Sequence, residues 1–359
     1  MKHERRAAIR TLATLAAGIA LAGHASVATA AAPEVIRIGV AQPATGNPPA
    51  FANSSMAIAH SKRALEEEFA ADNVKVEWYF FKGAGPAVNE ALSNKQLDFA
   101  FQGDLPSIIG RAAGLKTKLI FATGVRGNIY LATPPDSSIR SIKDLRGKRV
   151  AIFKGTNAQL PIDRLLAANG LTERDLRVVN LDTATAQAAL TTKDVDAVFG
   201  SYELLKLRDK GAARIAYTSK GDSPIFTRQG HVLVTEEFAA KYPAHTLRFV
   251  KAALKVARWS SEEANRDEVF RIWARANTAS FEHWKEDYDG QPLRVRLSPL
   301  FDPFLTHRYK DAVEHAYEFK LIRSKFDVDK WIDRGFLNAA LKELKLETYW
   351  PVHQADGVH

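Results

Sequence analysis

The sequence contains no cysteine and only two methionines among its 359 residues. Without cysteine there is no disulfide, no thiolate metal site and no cysteine nucleophile. A lipid anchor is not expected either, because a bacterial lipoprotein leader ends in cysteine. Long apolar runs are also scarce. The longest, Thr11–Gly23, falls short of the ~20 apolar residues that a membrane span requires. No low-complexity tract or acidic tail is present.

The common catalytic signatures are missing as well. A phosphate-binding P-loop places lysine after its second glycine, whereas here Lys154 precedes Gly155 and no second glycine has the right offset. No Gly-x-Gly-x-x-Gly follows the first strand, and no Gly-x-Ser-x-Gly elbow occurs. The ten histidines never form His-Glu-x-x-His. His307 and His315 sit two helical turns apart, too far to chelate one ion. No metal or other cofactor is expected.

The first thirty residues have a plan of their own. Lys2, Arg5, Arg6 and Arg10 form a basic head, Thr11–Gly23 an apolar middle, and Ala28-Thr29-Ala30 a small-residue end. This is the pattern of an export signal over residues 1–30, cleaved after Ala30, and it implies a periplasmic protein. Residues 4–10 partly resemble a twin-arginine motif, from which Glu4 and Ala8 depart; the general secretory route and the twin-arginine route both stand.

The net charge is +9, with basic residues interspersed among acids as in "KRALEEEF" and "LTERDLR". That pattern reads as a solvated surface rather than a nucleic-acid face. Lys154 reads as a solvated strand end. A mildly positive cleft helps draw in an anion.

Strand-like and helix-like stretches alternate. Val35–Val40, Val74–Phe81, Leu97–Phe101 and Arg149–Phe153 read as strands, with helices near Ser55–Ala71, Ala87–Ser93 and Leu105–Ala113. From Ala244 onward the chain reads as mainly helical. Such alternation predicts an α/β fold with largely parallel sheets.

One internal echo organises the rest. "ALSNKQLDFAFQG" (91–103) resembles "ALTTKDVDAVFG" (189–200): each is a helix end, a tight turn, a buried strand and a glycine. Two copies point to two similar lobes, each with a glycine loop at the ligand end of its sheet. Gln102-Gly103-Asp104 ends the strand of the first copy and opens a helix whose free N–H groups suit an anion. Asp104 reads equally well as a simple N-cap. Gly155-Thr156-Asn157 offers similar donors, either at a helix start or, if Pro161 marks the true first turn, in a free loop. Gly200-Ser201-Tyr202 is the matching loop of the second copy, where Tyr202 reads either as a cover over a ligand or as core.

The ordered series "VIRIGV", "VNEALSNKQLDFAFQGDLPSIIG", "SIRSIKDLRGKRVAIFKGTNAQL", "LTTKDVDAVFGSYE" and "HVLVTEEFAAKYP" resembles the substrate-binding proteins of ABC importers for nitrate, taurine and aliphatic sulfonates. The resemblance implies a type II periplasmic binding protein fold, with two mixed sheets flanked by helices and a ligand cleft between lobes. Lobe I would hold 34–124 and 229–359, and lobe II 125–228. The ligand head would lie between Gln102, Gly103, Asp104 and Leu105 on one side and Gly155, Thr156 and Asn157 on the other. Ser201, Tyr202, Gln229 and the loop containing Gln42 would flank it, and Arg126 would either reach the anion or serve the hinge. Many relatives carry a Trp-Asp-Pro-Tyr-like run where this chain has Gly200-Ser201-Tyr202-Glu203, which bears on the ligand's far end.

The implied function is capture of a small organic anion, an aliphatic sulfonate or taurine, by a monomer that delivers it to a membrane permease with a cytoplasmic ATPase. Asp104 or Glu203 would hold the amine of taurine. The alternatives are nitrate or bicarbonate binding, or a thiamin-precursor (pyrimidine) protein or enzyme on the same fold.

Overall fold

The computed structural model of the protein describes residues 32–357, so the export-signal reading of residues 1–30 lies outside the described residues. Two five-stranded mixed sheets organise them. The first contains β1 (Val35–Val40), β2 (Lys75–Phe80), β3 (Phe99–Gly103) and β4 (Thr117–Ala122). The second contains β5 (Tyr130–Thr133), β6 (Arg149–Ile152), β7 (Arg177–Asn180), β8 (Ala197–Gly200) and β9 (Arg214–Thr218). The tenth strand, β10 (Gly230–Thr235), returns to the first sheet.

The strand orders are β2-β1-β3-β10-β4 and β7-β6-β8-β5-β9. These are one topology used twice. In each sheet four strands run in one direction, and one strand that has come from the other half lies antiparallel between the third of them and the edge strand. The two echoed segments therefore end in equivalent strands, β3 and β8. The chain passes between the sheets twice, through 123–129 and 219–229. The two passages pair with each other at Gly127 and Arg228, whose N–H groups each donate to the other's carbonyl at 2.9 and 2.8 Å.

Local sequence accounts for the elements. Ile36, Ile38 and Val40 alternate into the core along β1. The helix expected over Ser55–Ala71 is two helices, Ser55–Ser61 and Ala64–Phe69, because Arg63 between them takes a left-handed φ of 55°. Ser54 caps the first by accepting from Ala57 N–H at 3.2 Å. The C-terminal region is helical as expected. Helix Pro243–Ser260 starts on proline and buries Phe249, Val250, Ala253, Leu254 and Ala257 on one stripe. Phe249 stacks on Phe99 of β3 with ring centres 3.9 Å apart, covering the first sheet. Among the described residues no helix is long and apolar enough to cross a membrane, and no cluster of metal-ligating side chains occurs. His315 instead pairs with Asp311 on its own helix, Pro303–Glu318.

Candidate functional site

In both sheets the order changes direction at the first strand: β2 lies on one side of β1 and β3 on the other, as β7 and β8 flank β6. Chain leaving neighbouring strands at such a point diverges and opens a crevice. A cavity of about 500 Å³ opens at both switch points together. Ala41, Gln42 and Pro43 line it after β1, Phe101–Gly103 at the end of β3, Phe153 and Thr156–Ala158 after β6, and Phe199–Glu203 at β8.

Seven of the residues expected at the site meet there: Gln42, Gln102, Gly103, Thr156, Asn157, Ser201 and Tyr202. Gly103 shows how closely the halves approach. A Cβ built on it would lie 2.2 Å from the Asn157 Cβ, so only glycine permits this contact, although its φ of −88° suits any residue. Gly155 needs glycine for a different reason, its φ of 74°. It does not line the cavity; its own Cβ position falls 3.3 Å from Pro86 of the opposite half.

The "GTN" stretch is a loop, because helix Gln159–Ala168 begins four residues after Gly155 and Pro161 is its third residue, within the first turn. Thr156 Oγ1 donates to Phe153 O at 2.7 Å, while the N–H groups of Thr156 and Asn157 have no hydrogen-bond partner among the described residues. Two amides and the Asn157 side chain are thus available to a ligand. Lys154 is not a solvated strand end. Its Nζ donates to Glu173 at 2.6 Å, Gln159 Nε2 donates to the other Glu173 oxygen at 2.8 Å, and Gln159 Oε1 accepts from Gly155 N–H at 2.8 Å. Glu173 is the post to which the loop is tied. Nearby Asp163 is held above the usual carboxylate range by burial and then by the negative charge of Glu173.

Asp104, Leu105, Arg126 and Gln229 are not brought to the cavity wall. Gly103 is the N-cap of helix Asp104–Ala112, and Asp104 is its first residue rather than its cap. The helix-start donors are already engaged: Asp104 N–H donates to Gln229 O at 3.3 Å and Leu105 N–H to Asp104 Oδ1 at 2.8 Å. Asp104 is fully buried, and burial pushes its carboxyl up to about 6. Gln229 Oε1 accepts from Arg126 N–H at 3.0 Å, and its Nε2 donates to Thr227 Oγ1 at 3.0 Å, so the amide braces the crossing. The Arg126 guanidinium turns away and lies over the Phe304 ring, 4.1 Å from its centre. Glu203 serves its own loop, accepting from Ser201 N–H at 2.8 Å and from the Ser201 hydroxyl. Of the two carboxylates expected to hold an amine, Asp104 is off the cavity wall, while Glu203 lines the cavity and already accepts two hydrogen bonds from Ser201.

Under the loop, Ser107 Oγ donates to Gly103 O at 2.9 Å and lies 2.8 Å from His231 Nε2, whose other ring nitrogen bonds Tyr309 OH. Burial alone lowers His231 to about 3, so the ring is neutral and supports the floor without charging it.

The cation at the floor is Arg228, one residue before Gln229. Its Nε donates to Asn128 O at 3.3 Å, and its two terminal nitrogens have no hydrogen-bond partner among the described residues. Lys82 and Lys206 also line the cavity. Of the acidic lining groups, Glu203 is committed to Ser201, and Asp182 caps helix Thr183–Thr191 through the Ala184 and Thr185 N–H groups. Three cations, Lys82, Lys206 and Arg228, against two carboxylates, Asp182 and Glu203, leave the lining with a formal balance of 3 − 2 = +1. The apolar wall, Phe51, Phe101, Phe153 and Phe199, was not anticipated either. A signal existed, since Phe101 and Phe199 both fall in the echoed strands just before their glycines.

This architecture recurs in known proteins. The periplasmic sulfonate-binding protein SsuA of Methylobacillus flagellatus KT aligns over 90% of this chain and 98% of its own, at 31% identity and a TM-score of 0.78. The alkanesulfonate-binding protein SsuA of Xanthomonas axonopodis pv. citri, solved bound to MOPS, shares the fold over 85% of this chain and 100% of its own, at 24% identity and a TM-score of 0.70. A protein of Bacillus subtilis (strain 168) bearing the name of an aliphatic sulfonates-binding protein is 27% identical over 86% of this chain and 88% of its own. All three are named as binding or transport proteins rather than as enzymes. The family model described as NMT1/THI5 like matches residues 69–265, more than half of the sequence, and the chain belongs to that family.

Proposed function

We propose that this protein is the extracytoplasmic binding component of an ABC importer, that it captures an organic sulfonate in the cavity between its sheets, and that it hands the ligand to a membrane permease. The observation that carries this reading is the pairing of Arg228 and the free Thr156 and Asn157 amides with an aromatic wall in one cavity. A sulfonate needs donors for a tetrahedral, singly charged head and apolar surface for its organic part. The names of the relatives point the same way. A cavity of about 500 Å³ falls in the ~300–1,000 Å³ range of small-molecule sites and is far larger than nitrate or bicarbonate requires.

The reading includes periplasmic residence, a lobe I of 34–124 and 229–359, a lobe II of 125–228, and closure about the Gly127–Arg228 pairing. It also includes the absence of turnover. What supports this is that the relatives aligned over most of their length are named as binding or transport proteins.

Thermal unfolding of the purified protein with alkanesulfonates, taurine, sulfate esters, nitrate and bicarbonate tests the proposal. A sulfonate at about 100 times its dissociation constant stabilises by about 2.7 kcal/mol. Stabilisation by nitrate or bicarbonate with none by any sulfonate would overturn the sulfonate reading.

A further inference from the structure

The cavity's apolar wall has an unusual composition. No leucine, isoleucine, valine or methionine lines it. Every large apolar side chain on it is a ring: Phe51 and Phe101 from the first sheet's side, and Phe153, Phe199 and Tyr202 from the second's. This is a local choice, because the buried cores on either side are rich in leucine, isoleucine and valine. It also departs from the symmetry of the two halves. Phe153 directly follows β6, where its counterpart after β1 is Ala41.

The rings are held in place. Phe51 packs at 6.1 Å from Phe101, and Tyr202 at 4.0 Å from Trp284 behind it. Phe51, Phe101, Phe199 and Tyr202 are all buried, and Phe153 is half-buried. A flexible alkyl chain is served as well by leucine as by phenylalanine. A flat π-system gains an extra, geometry-dependent attraction from rings presented by both walls.

We infer that the cavity is built for an aromatic sulfonate, its ring between the Phe51–Phe101 and Phe153–Phe199–Tyr202 walls and its sulfonate at Arg228 and the Thr156 and Asn157 amides. This inference rests on the proposed sulfonate reading and names the organic half of the ligand.

Matched ligands separate the two claims. Benzenesulfonate and cyclohexanesulfonate carry the same head on six-carbon rings, one flat and aromatic, the other puckered and saturated. Calorimetric titration of the wild-type protein should give benzenesulfonate at least a tenfold tighter dissociation constant, and naphthalene-2-sulfonate a tighter one still. Each aromatic contact contributes a few-fold to about tenfold. Phe153→Leu should weaken benzenesulfonate more than cyclohexanesulfonate and so shrink the ratio of their affinities several-fold. Phe199→Leu, checked for an unchanged unfolding temperature, should do the same. Equal or tighter binding of cyclohexanesulfonate overturns the aromatic inference and leaves the sulfonate reading intact. Binding of neither ligand, nor of any linear alkanesulfonate, overturns both.

Discussion

At the scale of single residues, the site depends on a cation and a missing side chain. Arg228 leaves its terminal nitrogens open while its backbone is clamped to Gly127. Arg228→Gln keeps much of the side chain's reach and removes the charge. A hydrogen bond to a charged group contributes about 1.5–3 kcal/mol, so affinity for butanesulfonate should fall roughly tenfold to a hundredfold, read by calorimetry. Arg126→Gln should change it little, because that guanidinium packs on Phe304. Gly103→Ala tests the close approach. The new methyl would sit 2.2 Å from the Asn157 Cβ, while the backbone conformation accepts alanine. Overpacking of this kind costs about 1–3 kcal/mol. It should weaken ligand binding by that amount while the ligand-free unfolding temperature moves far less, since lobes that separate relieve the clash.

Asp163 offers a test by pH. Its folded pKa is raised, so between the ordinary aspartate value of ~3.9 and that raised value the folded protein binds more protons than the unfolded chain. Its contribution to stability therefore declines as pH rises through that window. Asp163→Asn should flatten this decline, so the variant's stability relative to wild type should climb from pH 4 toward pH 8 in denaturant titrations. His231, lowered to about 3, has the opposite sign below its ordinary value and is unchanged in the variant, so the comparison cancels it.

At the scale of elements, the loop after β6 and its anchor are the instructive case. The strand Arg149–Phe153 and the donors of Thr156 and Asn157 were legible because an apolar run stopped at glycine. The anchor was not, because Glu173 lies fourteen residues beyond Gln159 and only the fold brings the two together. Glu173→Ala should free Lys154 and Gln159 and speed hydrogen exchange at residues 155–158, with β6 itself unchanged. The echoed strands were legible for a similar reason: one topology used twice leaves one sequence pattern twice. The aromatic wall was missed because each phenylalanine in a buried strand also fits a plain core reading, and only the cavity separates the two roles. Arg228 was missed because its neighbour Gln229 and the earlier crossing's Arg126 fit the pattern equally well. The pairing of the two crossings decides among them.

At the scale of the whole molecule, the two halves meet through ion pairs as well as through the crossings. Arg164, on helix Gln159–Ala168, reaches Asp311, on helix Pro303–Glu318, at 2.8 Å. Arg208 forks onto Glu286, with its Nη2 2.8 Å from Oε2. Burial pushes the Asp311 carboxyl up, but the His315 hydrogen bond and then the Arg164 charge outweigh it and hold the group down at about 2. Such contacts suit a clamp that opens about the paired crossings and is held shut by ligand. Small-angle scattering should show a smaller radius of gyration with saturating butanesulfonate than without it.

The central claim, capture of an organic sulfonate between the sheets, is tested most directly by calorimetric titration of wild type and Arg228→Gln with butanesulfonate in parallel. The account predicts one site per chain in the wild type and at least tenfold weaker binding in the variant. Absence of binding in the wild type, or equal affinity in both, would contradict it.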